Sequence, residues 1–483
     1  MLITLLSNLH NSINLYILIF SGIFYLIVFL LHKNTSDGYT ITITNRRDSD
    51  FTATHMKIPK HIQMIVSVIC FFLLFFDYTA SAKSVDITDS NTGTNSWWVY
   101  PLSVTSHLNE DITYVSFTDE EGYSGLMEQN LATGESKKVR LIKTGIDDHN
   151  AGAVELMDDG RLLYAVTGHN RWGYILIYIS TNPYDISSWE KAIRIPMEGT
   201  ATYAQLIKTK NGYQLFTRQR IPKSQSPDKI ENWSWLVSSS SNGRDWSDFR
   251  TVIDGGATQY YLKAMPCTNS SRIRMVMYSN PNKKKTDIRL GFYNPTDQMI
   301  ENAGFEELDY AEVNGSGVPF TKFNIIVSQG LGGTKHLNRL LDVAITPAKT
   351  TKIAFASFNS ANNSTYRVAT YNSVTEETTY KKVVTSGRAF YTRSKYFGGM
   401  VFDESDPDAL LISRKVGSKW RIESWTLRNG KFSKRSELYR SSKPTIRPFV
   451  SRYGVNIHFA TGDYNPLSYN ENKMQIMSDF FLQ

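Results

Sequence analysis

Two histidines stand at the two ends of one predicted β-hairpin. His149 follows the pair Asp147-Asp148, and His169 comes one strand, one turn and a second strand further along the chain. An imidazole has an unperturbed pKa of about 6.5, so it can take up or release a proton near neutral pH. A histidine at a strand start is more often a structural hydrogen-bonding group. The chain has only 9 histidines, however, so this hairpin is a candidate site of proton transfer.

The elements that would position these residues are short strands. From Trp97 onward, alternating apolar and polar residues are interrupted about every eight to twelve residues by Gly, Asn, Asp or Ser, without helical periodicity. Similar blocks recur along the chain and begin near Trp98, His149, Tyr203, Tyr261, Leu340, Tyr391 and Pro448. Repeats of four strands at this period are typical of propeller blades. We therefore predict an all-β, seven-bladed β-propeller that forms a single catalytic domain.

Three features of this arrangement can be predicted further. We expect an N-terminal strand near Trp97–Pro101 to complete the last blade and close the ring, helped by Arg447-Pro448-Phe449 and Tyr464. The tract from about Glu301 to Asn338 fits the repeat badly and is predicted to be an insertion over one face. The turns Ser180–Trp189 and Ser239–Trp246 resemble degraded Asp-boxes, in which small polar residues bind the turn backbone.

Loops from successive blades of a propeller converge at one mouth of its central channel, where ligands bind. Residues at the starts of inner strands therefore meet from distant parts of the sequence. The candidates are His149, His169, Tyr203, Arg218, Tyr260, Tyr261 and Lys263. Each has a structural alternative: Tyr203 could pack in the core, for example, and His169 could cap a turn. Arg220 faces the same side of its strand as Arg218, so either arginine could belong to the site.

Composition limits the class of partner. The net charge is +8, but the basic residues are scattered and form no long block. Nucleic acid is therefore only weakly indicated and is not predicted as a partner, and a sulfated or carboxylated polysaccharide is an equally natural interpretation of the charge. The two cysteines are Cys70 and Cys267, and Cys70 lies in a segment that we expect to be removed. No internal disulfide is then available to hold the fold.

Two apolar runs lie near the N-terminus. Ile13–Leu31 is nearly long enough to span a bilayer, whereas Met64–Phe76 has the length of a signal-peptide core. A basic start at Met56 and a small-residue cleavage site ending at Ala82 flank the second run. We predict a secretory signal at 56–82 and a mature propeller at 83–483. Residues 1–55 are then either an upstream over-extension of the reading frame, which we favour, or a membrane anchor.

The mature protein is accordingly expected in the periplasm or the medium, as a monomer without stable membrane insertion.

Five segments carry a family resemblance: Asp147–Leu156, Asp159–Leu162, Gly168–Asn170, Tyr203–Leu206 and Phe216–Arg218. Together they resemble the seven-bladed ulvan lyases and their relatives among BNR-repeat proteins. The resemblance extends from about Ser96 to the C-terminus, and the later blades match mainly in pattern. Gln259-Tyr260 departs from it, because the family often has Arg-Pro before this tyrosine.

The resemblance implies β-elimination on ulvan, a sulfated algal polysaccharide in which rhamnose 3-sulfate alternates with a uronic acid. The reaction removes the C5 proton of the uronate and breaks the bond at C4. The reaction needs three groups: a cation that neutralises the carboxylate, a base that takes the C5 proton and an acid that protonates the leaving oxygen at C4. Arg218 suits the first role because a guanidinium is permanently charged and grips a carboxylate with two hydrogen bonds.

By resemblance, His149 and Tyr203 form the acid/base pair, and the choice of base depends on whether the uronate is glucuronate or iduronate. His169, Tyr260, Tyr261 and Lys263 would bind substrate.

Two other classes of function stay open at this stage. A glycoside hydrolase of sialidase type would need paired carboxylates, and Asp147, Asp148 and Glu155 on one blade do not supply a convincing pair. A non-catalytic carbohydrate-binding propeller would grip sugar through the same Tyr and Arg residues.

Metal binding is weakly indicated by the sequence. The chain has no H-E-x-x-H or C-x-x-C motif, and the acidic run Asp403–Asp408 is expected to be an exposed loop rather than a calcium site. We predict that catalysis needs no cofactor and leave a structural metal ion open.

Overall fold

The structure is a computed structural model that describes residues 15–21, 25–34, 38–47, 50–57, 85–86, 98–280, 286–308, 317–328, 330, 337–390, 397–465 and 473–480. The chain divides into two compact units, Met1–Ser81 and Ala82–Gln483.

The first unit contains one antiparallel sheet with its strands in sequence order. The strands are β1 (Leu15–Ser21), β2 (Tyr25–Asn34), β3 (Gly38–Arg47) and β4 (Asp50–Lys57). Residues 58–82 of the predicted signal peptide lie outside the described part of the chain. Within the described residues, no helix has the length and apolar character needed to cross a membrane.

The second unit is built from seven sheets that follow one another along the chain. It begins with β5 (Val85–Asp86). Blade 1 consists of β6 (Ser103–Thr105), β7 (Ile112–Thr118), β8 (Tyr123–Asn130) and β9 (Ser136–Lys143). Blade 2 consists of β10 (Ala153–Leu156), β11 (Leu162–Val166), β12 (Tyr174–Ile179) and β13 (Ile193–Pro196). Blade 3 consists of β14 (Thr200–Thr209), β15 (Gly212–Ile221), β16 (Asn232–Ser240) and β17 (Arg250–Asp254).

The remaining blades follow the same plan. Blade 4 consists of β18 (Tyr260–Pro266), β19 (Ile273–Ser279), β20 (Ile288–Asn294) and β21 (Met299–Asn302). The next segments are β22 (Val318–Pro319), a 3₁₀ helix (Phe320–Lys322) and β23 (Asn324–Val327). Blade 5 consists of β24 (Leu337–Val343), β25 (Thr350–Phe358), β26 (Asn363–Asn372) and β27 (Glu377–Arg388). Blade 6 consists of β28 (Gly399–Phe402), β29 (Ala409–Val416), β30 (Lys419–Arg428) and β31 (Lys431–Ser441). Blade 7 consists of β32 (Thr445–Val450), β33 (Asn456–Asp463) and β34 (Lys473–Phe480), to which β5 is added.

This architecture confirms the predicted seven-bladed, all-β propeller. Burial follows the position of a strand within its blade, as blade 2 shows. Every residue of β10 and β11 is buried, β12 alternates between buried and partly exposed residues, and the outermost strand β13 is largely accessible. The two inner strands β10 and β11 therefore pack against neighbouring blades, and such apolar strands supply the core of the ring.

The ring closes differently from the prediction. The strand that completes blade 7 is β5, which pairs with β34, so the prediction of a closing strand near Trp97–Pro101 is wrong. Tyr100 instead forms a parallel bridge with Gln205 of blade 3. The Gln205 side chain also donates a hydrogen bond to the carbonyl of Trp98 at 3.1 Å. The segment around Tyr100 is therefore a buried strap that packs against inner strands and does not form an outer edge.

The tract after blade 4 is an insertion, as predicted, but its described part does not simply cover one face. β22 extends blade 3 in parallel with β17, and β23 returns to pair with β20 of blade 4. Between them, Phe320 stacks on Tyr260 with ring centroids 3.5 Å apart. The insertion therefore joins blades 3 and 4.

Buried charged side chains lie beside the strap around Tyr100. The hydroxyl of Tyr100 donates a hydrogen bond to Glu404 at 2.7 Å, and Arg452 donates to the same hydroxyl at 3.1 Å. Asp403, which was expected in an exposed loop, is only 1% exposed and accepts two hydrogen bonds from Ser405. The expectation of a solvated loop is therefore wrong for the start of this acidic run, because it lines a small cavity in the channel.

Candidate active site

The two histidines come from loops at the same end of blade 2. His149 lies just before the inner strand β10, and His169 lies in the connection between β11 and β12. Because neighbouring strands of the blade are antiparallel, both loops emerge at one edge. The imidazole rings are stacked, with centroids 4.1 Å apart and an angle of 15° between their planes. The hairpin predicted from the sequence thus brings its two histidines into direct contact.

One carboxylate holds both rings. Asp147 Oδ1 lies 2.7 Å from Nδ1 of His149, and its Oδ2 lies 2.8 Å from Nδ1 of His169. The backbone N–H of His169 donates to the side chain of Asn150 at 2.8 Å. With Nδ1 engaged, each ring can present Nε2 to a ligand. The Asp147-Asp148-His149-Asn150 run is therefore a positioning device for both histidines.

A second carboxylate links this loop to blade 7, which comes from the C-terminal part of the chain. Asp148 Oδ1 lies 2.6 Å from Nδ1 of His149, and its Oδ2 lies 2.5 Å from an Nη atom of Arg447 in blade 7. Arg447 also donates to the hydroxyl of Tyr464 at 2.6 Å. Asp148 and Arg447 are both buried. Arg447 and Tyr464, which the sequence suggested as closing residues of the ring, thus also fix the environment of His149.

The charged groups around His149 and His169 give the two histidines different protonation states. Burial alone would lower the pKa of His149, but the charge of Asp148 and hydrogen bonds with Asp147 and Asp148 raise it to about 10. Burial and the neighbouring charge of His149 lower the pKa of His169 to about 4, although its hydrogen bond with Asp147 acts in the opposite direction. At neutral pH the stack therefore combines one imidazolium with one neutral imidazole.

The pKa values of the Asp147 and Asp148 carboxyl groups both lie below the ordinary value for aspartate. For Asp147, hydrogen bonds with the two histidines outweigh the opposing effect of burial. For Asp148, the charges of Arg447 and His149 do the same. Both aspartates are therefore ionised and already paired, and neither is available as a proton donor.

Tyr203 and Arg218 approach the histidines from blade 3. Tyr203 lies at a β-bulge in β14, where its φ of 64° is in the left-handed region that a tyrosine rarely adopts. Thr217 supports the bulge by donating to the carbonyl of Tyr203 at 2.8 Å. The Tyr203 ring lies 5.7 Å from the ring of His149. A strained backbone supported in this way commonly marks a site where a side chain is aimed at a ligand.

Arg218 is a buried cation among aromatic rings. It is 1% exposed, and its Cζ lies 4.8 Å from the ring centroids of both Tyr203 and Trp233 and 5.2 Å from that of Tyr261. With its amide oxygen turned toward the guanidinium, Gln259 accepts hydrogen bonds at 2.9 and 3.2 Å. Within the described residues, no carboxylate forms an ion pair with Arg218. A buried charge without a counterion is costly, so this position suits an anionic ligand.

Arg220 has a different environment from Arg218. Its side chain is 36% exposed and forms an ion pair with Glu231 at 2.6 Å. Arg218 is therefore the better candidate for the site. It is buried and has no carboxylate partner in the described part of the chain, whereas Arg220 is paired with Glu231.

The remaining candidates lie on β18 in blade 4. Tyr261 contacts Tyr203 at 6.2 Å between centroids and Trp98 at 4.9 Å, so it forms part of the wall behind Arg218. Lys263 forms an ion pair with Asp342 at 3.3 Å, beside the ring of Tyr100 in the channel. The ammonium of Lys263 is thus already paired, and substrate roles for Tyr260, Tyr261 and Lys263 stay predictions.

One group of side chains in the described part of the chain could hold a metal ion, namely Asp147, His149 and His169, whose donor atoms lie within 4.8 Å of one another. Both Nδ1 atoms already face the Asp147 carboxylate. A metal bound through them would have to replace those hydrogen bonds. The absence of a cofactor requirement stays a prediction.

The sequence did not predict that Asp147, Asp148, Gln259 and Arg447 hold the histidines and Arg218 in position. Because Asp147 and Asp148 directly precede His149, their position in the sequence could have indicated that a carboxylate orients the imidazole ring. Gln259 and Arg447 gave no such signal, because their contacts depend on which blades become neighbours.

Comparison with known proteins places the chain among propellers of one family. The sequence profile of the BNR repeat-containing family matches residues 112–388, which is more than half of the chain, so the protein belongs to that family. A search of curated protein sequences finds no match.

Solved structures of polysaccharide lyases are similar to this fold. An ulvan lyase of polysaccharide lyase family PL25, bound to -[GlcA(1-4)Rha3S]-, has a TM-score of 0.62 and 15% identity, over 83% of this chain and 96% of that chain. The polysaccharide lyase Uly1 has a TM-score of 0.54 and 11% identity, over 82% and 99% of the two chains. The resemblance to ulvan lyases is thus confirmed at the level of the fold.

The difference between the pKa values of His149 and His169 can be tested by replacing Asp148 with Asn. Because the charge of Asp148 is the largest influence that raises the pKa of His149, the substitution should lower that pKa by about 1–3 units. Ring ¹⁵N and ¹³C chemical shifts across a pH titration measure the change. Asp159→Asn, at an exposed turn, is the control and should leave His149 unaffected. An unchanged His149 titration in Asp148→Asn would contradict the assignment.

Proposed function

We propose that this protein is a polysaccharide lyase that cleaves ulvan by β-elimination at C4 of the uronate next to rhamnose 3-sulfate, leaving an unsaturated uronyl sugar. The observation that carries the proposal is Arg218, a buried cation without a described carboxylate partner, beside one protonated and one neutral histidine. Support also comes from the fold shared with ulvan lyases, one of which was solved with a glucuronate–rhamnose sulfate ligand.

The proposed reaction begins with the uronate carboxylate against Arg218. Loss of the C5 proton places negative charge on that carboxylate, and the guanidinium stabilises it with two charge-assisted hydrogen bonds. The aromatic rings of Tyr203, Trp233 and Tyr261 exclude water around Arg218, which strengthens the interaction. Gln259 holds the guanidinium in place.

The charge states of the two histidines suggest their roles. His169 is neutral and its Nδ1 is hydrogen-bonded to Asp147, so Nε2 carries the lone pair of the ring and suits the base that takes the C5 proton. His149 is an imidazolium and suits the acid that protonates the leaving oxygen at C4. Tyr203, predicted as the partner of His149, lies between His149 and Arg218 and would be the second candidate for proton transfer to the leaving oxygen.

His169 thereby acts in proton transfer, in addition to the substrate binding that was predicted for it from the sequence.

Hydrolysis by paired carboxylates fits the site less well. A glycosidase of that type needs one carboxylic acid in its protonated form. Asp147 and Asp148 are both ionised, because ion pairs lower their pKa values. A non-catalytic sugar-binding propeller is separated from a lyase by turnover alone.

The first test follows ultraviolet absorbance of the new double bond when residues 83–483 are incubated with ulvan. Arg218→Ala should lower the rate at least about 100-fold, the size expected for loss of a group that stabilises developing charge. His149→Ala should have a comparable effect through loss of the acid. Arg220→Ala is the matched control, since Arg220 lies on the same strand but is paired with Glu231.

New reducing ends without absorbance would mean hydrolysis, and binding without either signal would mean a carbohydrate-binding protein. Near-normal turnover in His149→Ala would reject the assigned mechanism.

The second test is the pH dependence of kcat/KM. The base His169 must be neutral, so activity should be lost as the pH falls toward its pKa of about 4. The acid His149 must be protonated, so activity should also be lost as the pH rises toward its pKa of about 10. Asp148→Asn should shift the alkaline limb to lower pH and leave the acid limb nearly in place. An alkaline limb that does not move would exclude His149 as the acid.

We further propose that the protein is exported after removal of the segment that ends at Ala82. The basic start at Met56, the apolar run and the small-residue cleavage site support this proposal. N-terminal sequencing of protein recovered outside the cytoplasm should give Lys83 as the first residue. A product that retains residues upstream of 56 would favour an N-terminal anchor instead.

A further inference from the structure

An exposed stack of side chains lies beside the candidate active site on blade 2. The rings of Trp172 and Tyr174 are stacked, with centroids 5.3 Å apart and planes 11° from parallel. On the neighbouring strand, Arg194 places its Cζ 3.8 Å from the centroid of the Tyr174 ring. Arg171 and Arg194 are exposed, and the two aromatic residues are partly exposed. We call Arg171, Trp172, Tyr174 and Arg194 the rim stack.

The rim stack is continuous with the loop that carries His169. Trp172 follows His169 by three residues, so their Cα atoms are at most about 11 Å apart. Gly168, which precedes His169, packs closely against Trp172, since a Cβ built at this glycine would lie 3.3 Å from the indole. A polymer held at the histidines would therefore reach the rim stack within a few sugar units.

The arginines of the rim stack have no acidic partner within the described part of the chain. Arg171 donates a weak hydrogen bond to the carbonyl of Thr144 at 3.4 Å, and Arg194 lies over Tyr174. By contrast, Arg140, an exposed arginine on β9 of blade 1, is paired with Glu121 at 2.8 Å. An unpaired arginine on a surface is ordinary by itself. Here, however, Arg194 lies over the partly exposed ring of Tyr174, and Arg171 directly precedes Trp172, so two cations and two aromatic rings share one surface that suits an anionic sugar.

We propose that the rim stack binds the sulfated sugars that flank the uronate undergoing cleavage. This inference rests on the proposed lyase function, because it assumes that a sulfated polysaccharide chain enters the site. Aromatic faces pack against the C–H face of a sugar ring. Because the Cζ atom of Arg194 lies only 3.8 Å from the centroid of the Tyr174 ring, the ring supports the guanidinium, whose N–H groups can make a bidentate contact with a sulfate. The rim stack would thus recognise the repeating sulfate, while Arg218 recognises the carboxylate.

The inference is tested by binding in the absence of turnover. Protein carrying His149→Ala is run through native gels that contain ulvan, desulfated ulvan or no polymer, and retardation gives the apparent affinity. The test variant adds Arg171→Gln and Arg194→Gln. The control adds Arg428→Gln, an exposed arginine at the end of β30 in blade 6. Unfolding temperatures of all variants exclude a general loss of structure.

Each glutamine substitution should weaken retardation by ulvan about two- to fivefold, the range of an exposed ion pair, and the double variant should show both losses. Desulfated ulvan should retard the unsubstituted protein and the double variant equally. In the active background, the double variant should raise KM and leave kcat almost unchanged. Equal retardation of the double variant and the control by ulvan, or full binding to desulfated ulvan, would overturn the inference.

The outcomes also separate this inference from the proposed function. Arginine-dependent retardation without lyase absorbance from the unsubstituted protein would support the sulfate site and reject the lyase. Lyase absorbance with retardation that does not depend on the arginines would reject the sulfate site and leave the lyase standing.

Discussion

The shared carboxylate of Asp147 is the interaction on which the candidate site depends. One buried anion between two stacked imidazoles can balance only one positive charge, so the rings cannot both be protonated at low cost. Asp148 forms an ion pair with His149, and its charge therefore favours protonation of that ring over protonation of His169. Two chemically identical side chains thereby acquire opposite capacities, one to donate a proton and one to accept it. The same logic explains why both aspartates must remain ionised.

Backbone geometry supports this electrostatic arrangement. Two β-bulges in inner strands place Tyr203 in blade 3 and Arg447 in blade 7 with positive φ angles of 64° and 54°. In each case the bulge turns a large side chain toward the loop of His149. Arg218 reaches the same region from the strand next to Tyr203. The rigid blades thus bring groups from three sheets into one cluster without needing a mobile loop.

The propeller and most of the candidate site residues could be predicted from the sequence, because both depend on short local patterns of residues. Regular strand repeats indicated seven blades, and Asp147–His149 with His169 indicated a site on blade 2. The prediction failed where a feature depends on contacts between distant segments. Short β5 carries too little pattern to be recognised as the closing strand. The partner of Asp148 lies 299 residues away, so no local spacing reveals it. The difference between Arg218 and Arg220 likewise depends on burial and on Glu231.

The pairing of Asp148 with Arg447 has a consequence for the order in which the protein becomes competent. Ribosomes produce the chain from the N-terminus, so blade 2 exists long before blade 7 is made. Until Arg447 arrives, the Asp148 carboxylate lacks the buried cation that pairs with its Oδ2. The charges that raise the pKa of His149 come from Asp147 and Asp148 in the same loop, so this influence does not depend on blade 7. A partly synthesised chain would therefore hold the histidines and aspartates of the loop without the contact that fixes Asp148 to the last blade.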